Sequence, residues 1–324
     1  MNQLKKRISE AYSKFSVLIH QIWAVLFPSW YAKYYYKLVT HKKLNLKNPQ
    51  DYNEKVQWLK IYSDTSQWTV LADKYRVRQY IEKCGLSDIL VELYGVWSKA
   101  EDIDFTILPD NFVLKSNNGC GTNILIYDKK EMDFDYTRRL LKEWLRKRIG
   151  LVDFQPHMWN IDRRIIAEEL LQDTYNKELS TSIIDYKIFC FHGEPEIISV
   201  LYNRKNIVVG SPVNGKGSID KLEKVYDLKW NSRSDVLSHP FPGHESFEIP
   251  KPKCLNEMLS IARILSKPFP QVRVDLYEVN SKVYFGELTF TSGGLLDFTP
   301  QYLQEMGDKI NLSLAKRRTK LFII

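Results

Sequence analysis

Residues 271–295 read QVRVDLYEVNSKVYFGELTFTSGGL. Two alternating runs, Val272-Val274-Leu276 and Val283-Phe285, flank Asn280-Ser281-Lys282, the pattern of a β-hairpin with one apolar face. Side chains alternate along a strand, so Arg273 and Asp275 share a face of the first run, and Glu287 and Thr289 share a face of the second. The turn decides whether those faces coincide. A three-residue loop at 280–282 pairs Val279 with Val283 and sets Asp275 opposite Glu287 and Arg273 opposite Thr289. A two-residue loop at Asn280-Ser281 would send the two acids to opposite faces, since a slip of one residue reverses every side chain. With the three-residue loop, the expected arrangement, the carboxylates stand about 5 Å apart. Acids so placed repel unless a cation lies between them, and Mg²⁺ takes carboxylate oxygens together with substrate phosphates. Two unrelated acids on a solvated sheet face are the alternative.

The 324-residue length accommodates two or three subdomains, and 44% apolar with 13% aromatic content describes a globular chain. A net charge of +8 favours anionic partners: nucleotide phosphates, acidic sugars, an anionic membrane face or nucleic acid. Cys84, Cys120, Cys190 and Cys254 form no CxxC pair, which suits reduced thiols in a cytoplasmic protein. The histidines give no HxxH or HExxH pattern, and His239 and His244 fall in a Pro/Gly-rich loop. The longest apolar run, Val17–Phe27, is too short to span a membrane and is interrupted by His20 and Gln21. No nucleic-acid-binding motif occurs, and none of the usual nucleic-acid partners is expected.

Residues 1–44 interleave Lys5, Lys6, Arg7 and Lys14 with Ile19, Trp23, Phe27, Trp30, Tyr31 and Tyr34–Tyr36. That mixture fits either helices packed on their own domain or an interfacial segment making peripheral contact with the inner face of a membrane. A helix is expected over Thr69–Cys84, closed by Gly85, with Asp73 and Lys74 read as solvated charges on it. Asp102-Ile-Asp104 and Asp133-Phe-Asp135 have DxD spacing, a pattern common by chance. In NFVLKSNNGCGTNILIY (111–127), strands Phe112–Leu114 and Ile124–Tyr127 flank a loop whose Gly119 and Gly121 allow close backbone approach and an anion-binding nest. Lys115 ends the first strand at that loop, beside Ser116 and Asn118. The match to a Walker loop fails, and an ordinary hairpin turn stays open.

A basic helix is expected over Tyr136–Arg148 and an amphipathic one over Lys253–Ser266. Buried strands are expected at Arg163–Leu171, Ile183–Phe191, 195–202 and 206–209, followed by loops over 210–250. Asp185 and Lys187 share a face of the second of these strands, and a buried acid and base there need partners. The basic tail Lys316–Lys320 reads as unstructured.

The ordered set FVLK-SNNGCG, IIAEELL, DYKIFCFHGEP and VRVDLY…FGELTFTSGG resembles the ATP-grasp superfamily, and more closely its TupA-like branch, named for teichuronopeptide biosynthesis and found in bacterial cell-surface polysaccharide clusters. The resemblance takes in NEKVQWLKIY and LADKYRVRQYI and covers about residues 45–310. It implies an α+β ATP-grasp fold, with the nucleotide between two mostly antiparallel sheets. It divides the chain into an N-terminal segment (1–44), an N-terminal subdomain (45–108), a central subdomain with the glycine-rich hairpin and hinge (109–182), a C-terminal subdomain (183–312) and a tail (313–324). Lys115 would hold the α- and β-phosphates under the loop 116–122. Glu168, Glu169, Leu170 and Leu171 would form the adenine hinge, Asp185 would lie near the ribose, and Lys187 would be a further phosphate ligand. Asp275 and Glu287 would hold Mg²⁺, and Arg273 would stabilise the transferring phosphoryl. Where many ATP-grasp enzymes carry Asn as a metal ligand, this chain has Thr289, whose hydroxyl would coordinate Mg²⁺ more weakly than an amide carbonyl. The implied activity is an ATP- and Mg²⁺-dependent carboxylate–amine ligase working through an acyl phosphate on an acidic sugar or an amino acid. A sugar kinase, a glycosyltransferase and a non-catalytic nucleotide- or glycan-binding scaffold are the alternatives.

Overall fold

The computed structural model describes residues 18–119, 121–203, 222–240, 248–292 and 295–319. Strands β1 (Leu93–Trp97), β2 (Phe112–Ser116), β3 (Asn123–Ile126) and β4 (Ile165–Glu168) form one antiparallel sheet in the order β1-β4-β2-β3. Strands β5 (Asp185–Phe191), β6 (Glu194–Tyr202), β7 (Leu222–Tyr226), β8 (Val272–Val279) and β9 (Lys282–Thr289) form a second, in the order β7-β6-β5-β8-β9. The class is α+β, as expected. The strand expected at 206–209, Cys120, His244, Gly293 and Gly294, and the basic residues before position 18 lie outside the described residues.

The hairpin reaches the expected pairing by a different route. Its loop has two residues, Asn280 and Ser281, both at positive φ (52° and 64°), and the ladder begins Val279↔Lys282. Alone, that turn would split the acids between faces. A bulge restores them: Leu276 pairs with Phe285, but Asp275 pairs with Glu287, leaving Gly286 as the extra residue. Phe285 and Leu288 therefore both face the core although three apart, while Glu287 and Thr289 turn to the face of Asp275 and Arg273. A Cβ at Gly286 would stand 2.9 Å from the Asp275 carbonyl oxygen, closer than a side chain is tolerated, so the bulge needs glycine.

Behind the five-stranded sheet lies the helix Leu255–Ser266, whose Leu255, Met258, Leu259, Ala262 and Leu265 recur at helical spacing and are buried. Burying each of these leucine and methionine side chains is worth about 1.5–3 kcal/mol. They join Val272, Val274 and Leu276 of β8 in the larger of two apolar cores. The smaller core lies under the other sheet, where Leu141 and Trp144 of the helix Phe134–Arg146 meet Phe112, Leu114, Ile165 and Ala167. All four side chains of β4 are buried: Ile165, Ile166 and Ala167 as an apolar run, and Glu168 at its end in ion pairs.

Four expectations are corrected. Within the segment 210–250 expected as loops, Leu222–Tyr226 is strand β7, paired with β6. The helix expected over Thr69–Cys84 is two, Ser66–Leu71 and Val77–Lys83, because the buried Asp73 accepts from the Tyr75 and Arg76 amides (2.9 and 3.3 Å) and turns the chain between them. The strand expected at 163–171 stops at Glu168. The tail is tied down as far as Arg318, whose amide donates to the Tyr62 carbonyl at 2.8 Å and whose guanidinium reaches the Lys60 and Ile61 carbonyls.

Candidate active site

Antiparallel pairing places Asp185 and Lys187 of β5 beside Tyr277 and Asp275 of β8, and β9 adds Glu287 and Thr289 on the same face. Lys187 is held between two carboxylates, with its Nζ 2.7 Å from Asp185 Oδ2 and 2.5 Å from Asp275 Oδ2. Arg273 closes on Asp275 from the other side with both Nε and Nη2 at 2.6 Å. Its Nη2 also donates to the Thr289 hydroxyl (3.0 Å) and lies 3.4 Å from Glu287 Oε1, while its Nη1 donates to Ser292 Oγ (3.0 Å). Thr289 in turn donates to Glu287 Oε1 at 2.9 Å. The acids at 275 and 287 thus face the same way and share one guanidinium.

This cluster is charged and nearly closed. Asp275 is 1% exposed, and burial raises its carboxyl above the ordinary aspartate value, against the pull of Arg273 and Lys187 and with Asp185 adding to the rise. For Lys187, burial and the Arg273 charge oppose protonation, yet Asp185, Asp275 and Glu287 outweigh them and hold the ammonium above its usual value. Glu287 keeps 38% of its side chain exposed at the open edge of the cluster. Partial burial works against its ionisation, but Lys74, Lys187 and Arg273 bring the carboxyl down to about 2. The outermost acid is therefore a fixed anion, accessible from one side.

The opposing wall is the β2–β3 hairpin. Ser116 Oγ and Thr122 Oγ1 clasp across its loop at 2.5 Å, and a Cβ at Gly119 would collide with both. Gly121 takes a positive φ of 67°. Asn117 fastens the loop from behind: its side-chain NH₂ donates to the Asp162 carbonyl, and its carbonyl oxygen accepts from the Arg164 amide at 2.8 Å. Asn118 is buried. Lys115 extends to Glu168, at the end of β4, with Nζ 2.8 Å from Oε2, and Arg78 lies 3.4 Å from the other oxygen. Lys115 at the glycine-rich loop and Glu168 at the end of β4 thus form one ion pair. Beyond it, the Glu169 amide donates to the Glu92 carbonyl and Leu170 is buried.

Lys74 joins the two walls. Its Nζ donates to the Gly119 carbonyl at 2.6 Å and lies 3.6 Å from Glu287 Oε2, and its backbone amide donates to the Asn117 carbonyl. Reading Lys74 as a solvated helix charge missed this. The available signal was the adjacent acid, since Asp73 caps the turn that lifts Lys74 off the helix face. The two DxD pairs have structural work instead: Asp104 caps the turn at Thr106 and Asp133 caps the helix at Tyr136.

Sequence comparison agrees with this geometry. The family described as TupA-like ATPgrasp matches residues 54–311, which takes in both walls of the site. The chain belongs to the TupA-like ATP-grasp family. It accordingly has the ATP-grasp fold. Similar solved structures include a D-alanine–D-alanine ligase from Bacillus anthracis complexed with ATP (TM-score 0.44, 15% identity, 77% of this chain and 68% of that one). The Helicobacter pylori D-alanine–D-alanine ligase gives a TM-score of 0.41 at 11% identity, over 84% of this chain and 68% of that one. Phosphoribosylamine–glycine ligase from Thermotoga maritima gives 0.40 at 11% identity, over 71% of this chain and 50% of that one. None of the curated proteins matches.

The ATP-grasp family implies Mg²⁺, and the donor set here fits it. Asp275, Glu287 and Thr289 offer hard oxygens on one face, and a triphosphate would complete the coordination. The described residues contain no group of three or more His, Cys, Asp or Glu side chains arranged to hold a metal alone.

Proposed function

We propose that the chain joins a carboxylate to an amine through an acyl phosphate, with an acidic sugar or an amino acid as the carboxylate, in bacterial cell-surface polysaccharide synthesis. The observation that carries this reading is the charge balance on the five-stranded sheet. Lys74, Lys187 and Arg273 are matched there by Asp185, Asp275 and Glu287. Among the described residues this cluster therefore has no surplus cation for a triphosphate, and an anionic nucleophile would add to the deficit. Further positive charge must come with the nucleotide. Asp275 and Glu287, assisted by Thr289, would hold Mg²⁺, which supplies electrostatic stabilisation of the phosphoryl oxygens when bound.

The remaining work belongs to the chain's own groups. Lys115, Ser116, Asn118 and the backbone at Gly119 and Gly121 form the wall on which the α- and β-phosphates rest. Glu168, Glu169, Leu170 and Leu171 line the adenine side, and Asp185 stands near the ribose. Lys187 and Arg273 face the γ-phosphate. There they stabilise the charge that builds as the substrate carboxylate attacks phosphorus and the bond to ADP breaks. The amine then attacks the acyl carbon, phosphate leaves, and the amine's proton is lost to solvent. A carboxylate nucleophile is already ionised at neutral pH, so no general base is needed.

Hydroxylamine tests the intermediate. ADP release is measured with Mg²⁺·ATP and a panel of uronic acids and amino acids, each with hydroxylamine as the amine. The reading predicts a hydroxamate formed in step with ADP. A stable phosphate ester with no hydroxamate would make the protein a kinase and overturn the ligase proposal.

A further inference from the structure

The N-terminal helices are packed on one side only. Ala24, Tyr31, Ala32 and Tyr36 are buried, and the Tyr31 hydroxyl donates to the Val152 carbonyl at 2.7 Å, fixing these helices to the body. On the opposite side of helical residues 18–26, Leu18, Ile22 and Leu26 recur every fourth residue with half or more of each exposed. Phe27 at the helix break is 55% exposed, and Trp30 and Leu38 of the helix Pro28–Thr40 are 71% and 58% exposed. Nine of the sixteen exposed large hydrophobic side chains among the described residues fall between positions 18 and 39. That is a patch, not the usual scatter of single apolar residues.

Charge selects the occupant. No acidic residue occurs between Glu10 and Asp51, whereas Lys33, Lys37, Lys42, Lys43 and Lys47 do, all of them exposed. Lys33 and Lys37 sit among Trp30, Tyr34 and Leu38, where aliphatic stems can lie on apolar surface with their ammonium heads in a polar layer. A second copy of the chain docked on this face would set lysines against lysines. A partner with an apolar interior and an anionic skin satisfies both features. We infer that this face docks on an anionic lipid surface, with the helices lying in the headgroup plane. They do not cross it: no helix among the described residues is long and apolar enough to span a membrane. The inference goes beyond the ligase reading and does not depend on it.

The test is co-sedimentation of the full chain with phosphatidylcholine vesicles, pure or containing about one-third phosphatidylglycerol, at low and high salt. The wild type is expected to sediment with the anionic vesicles at least tenfold more strongly than with the neutral ones, and high salt should weaken that binding. Leu26→Asp, at a position 64% exposed and outside the core, should lower binding at least tenfold without altering the melting temperature or ADP release. The Lys33→Ala, Lys37→Ala double variant should lose most of the preference for phosphatidylglycerol. Failure of the wild type to bind, equal binding to both vesicles, or undiminished binding by Leu26→Asp would each overturn the assignment. So would a wild-type dimer that Leu26→Asp converts to monomer, which would give the face to a second copy. ADP release by the wild type is read separately, so failure of the ligase reading is told apart from failure of this one.

Discussion

Arg273 serves both acids of the hairpin, so removing one acid does not have the same consequence as removing a more distant cation. Asp275 is buried and holds Lys187 and Arg273 at 2.5–2.6 Å. Asp275→Asn leaves two interior cations short of a partner, a loss of about 3–5 kcal/mol in comparable buried pairs. The variant is expected to melt lower and to release ADP at least a hundredfold more slowly, measured by thermal denaturation and a coupled ADP assay. Lys74 is different: it is partly exposed and bonds the loop carbonyl of Gly119 as well as facing Glu287. Lys74→Met should keep the melting temperature within a degree or two while raising KM for ATP and lowering kcat, because what it removes is the tie between the walls. A solvated Lys74 would show neither kinetic change. Asp275, Glu287 and Arg273 were legible in the sequence because strand alternation fixes their face to within one register. Lys74 was not, because a helical pattern over 69–84 hides a turn that only the side chain of Asp73 creates.

At the scale of elements, the hairpin shows how a correct pairing can be read for the wrong reason. Side-chain alternation demanded one extra residue between the strands, and the sequence offered a place for it in the turn. The chain instead puts it at Gly286, inside β9, where the missing Cβ lets the strand fold against the Asp275 carbonyl. Gly286→Ala is expected to destabilise by about 1–3 kcal/mol, as overpacking does. It should also slow ADP release more than the stability loss explains, since it displaces Glu287 from Asp275; the check is activity measured well below the variant's melting temperature. A second element-scale effect lies where the turn at Pro156–Met158 packs on the helix Ser66–Leu71. His157 is enclosed there by Trp68 and Phe290, and burial, reinforced by the Lys60 ammonium, brings its imidazole down to about 3. The unfolded chain takes up a proton at this residue below its ordinary value of 6.5, while the folded chain refuses it until about 3. Stability therefore falls as pH drops through that window, by about 1.4 kcal/mol per unit at full slope. Burial brings Lys60 down to about 7, so over most of the window it is protonated in both states and adds little slope. His157→Phe should flatten the stability curve between about pH 6 and pH 4, read by denaturant melts across that range.

For the whole molecule, the question is what holds two separately cored sheets in register. The larger core contains the five-stranded sheet and the smaller lies under the four-stranded one. At the site, the two are bridged by the contacts of Lys74 with Gly119 and Glu287. The site's polar groups divide the same way: Lys115, the glycine loop and Glu168 lie on one sheet, and Asp185, Lys187, Arg273, Asp275 and Glu287 on the other. A ligand that engages both sets can be held fully only when the sheets are in place, so it should stabilise the native state as a whole. Mg²⁺·ATP at about a hundred times its Kd should add about 2.7 kcal/mol, which for a chain of this size is a rise in Tm of about 4 °C. Chelating the metal should remove most of the rise, because without it the nucleotide's charge meets Asp275 and Glu287 directly. Lys115→Met, on one sheet, and Glu287→Gln, on the other, should each reduce the shift by more than half, measured against each variant's own ligand-free Tm. If only the substitution on one sheet reduced the shift, the nucleotide would be resting on that sheet alone and would not link the two cores.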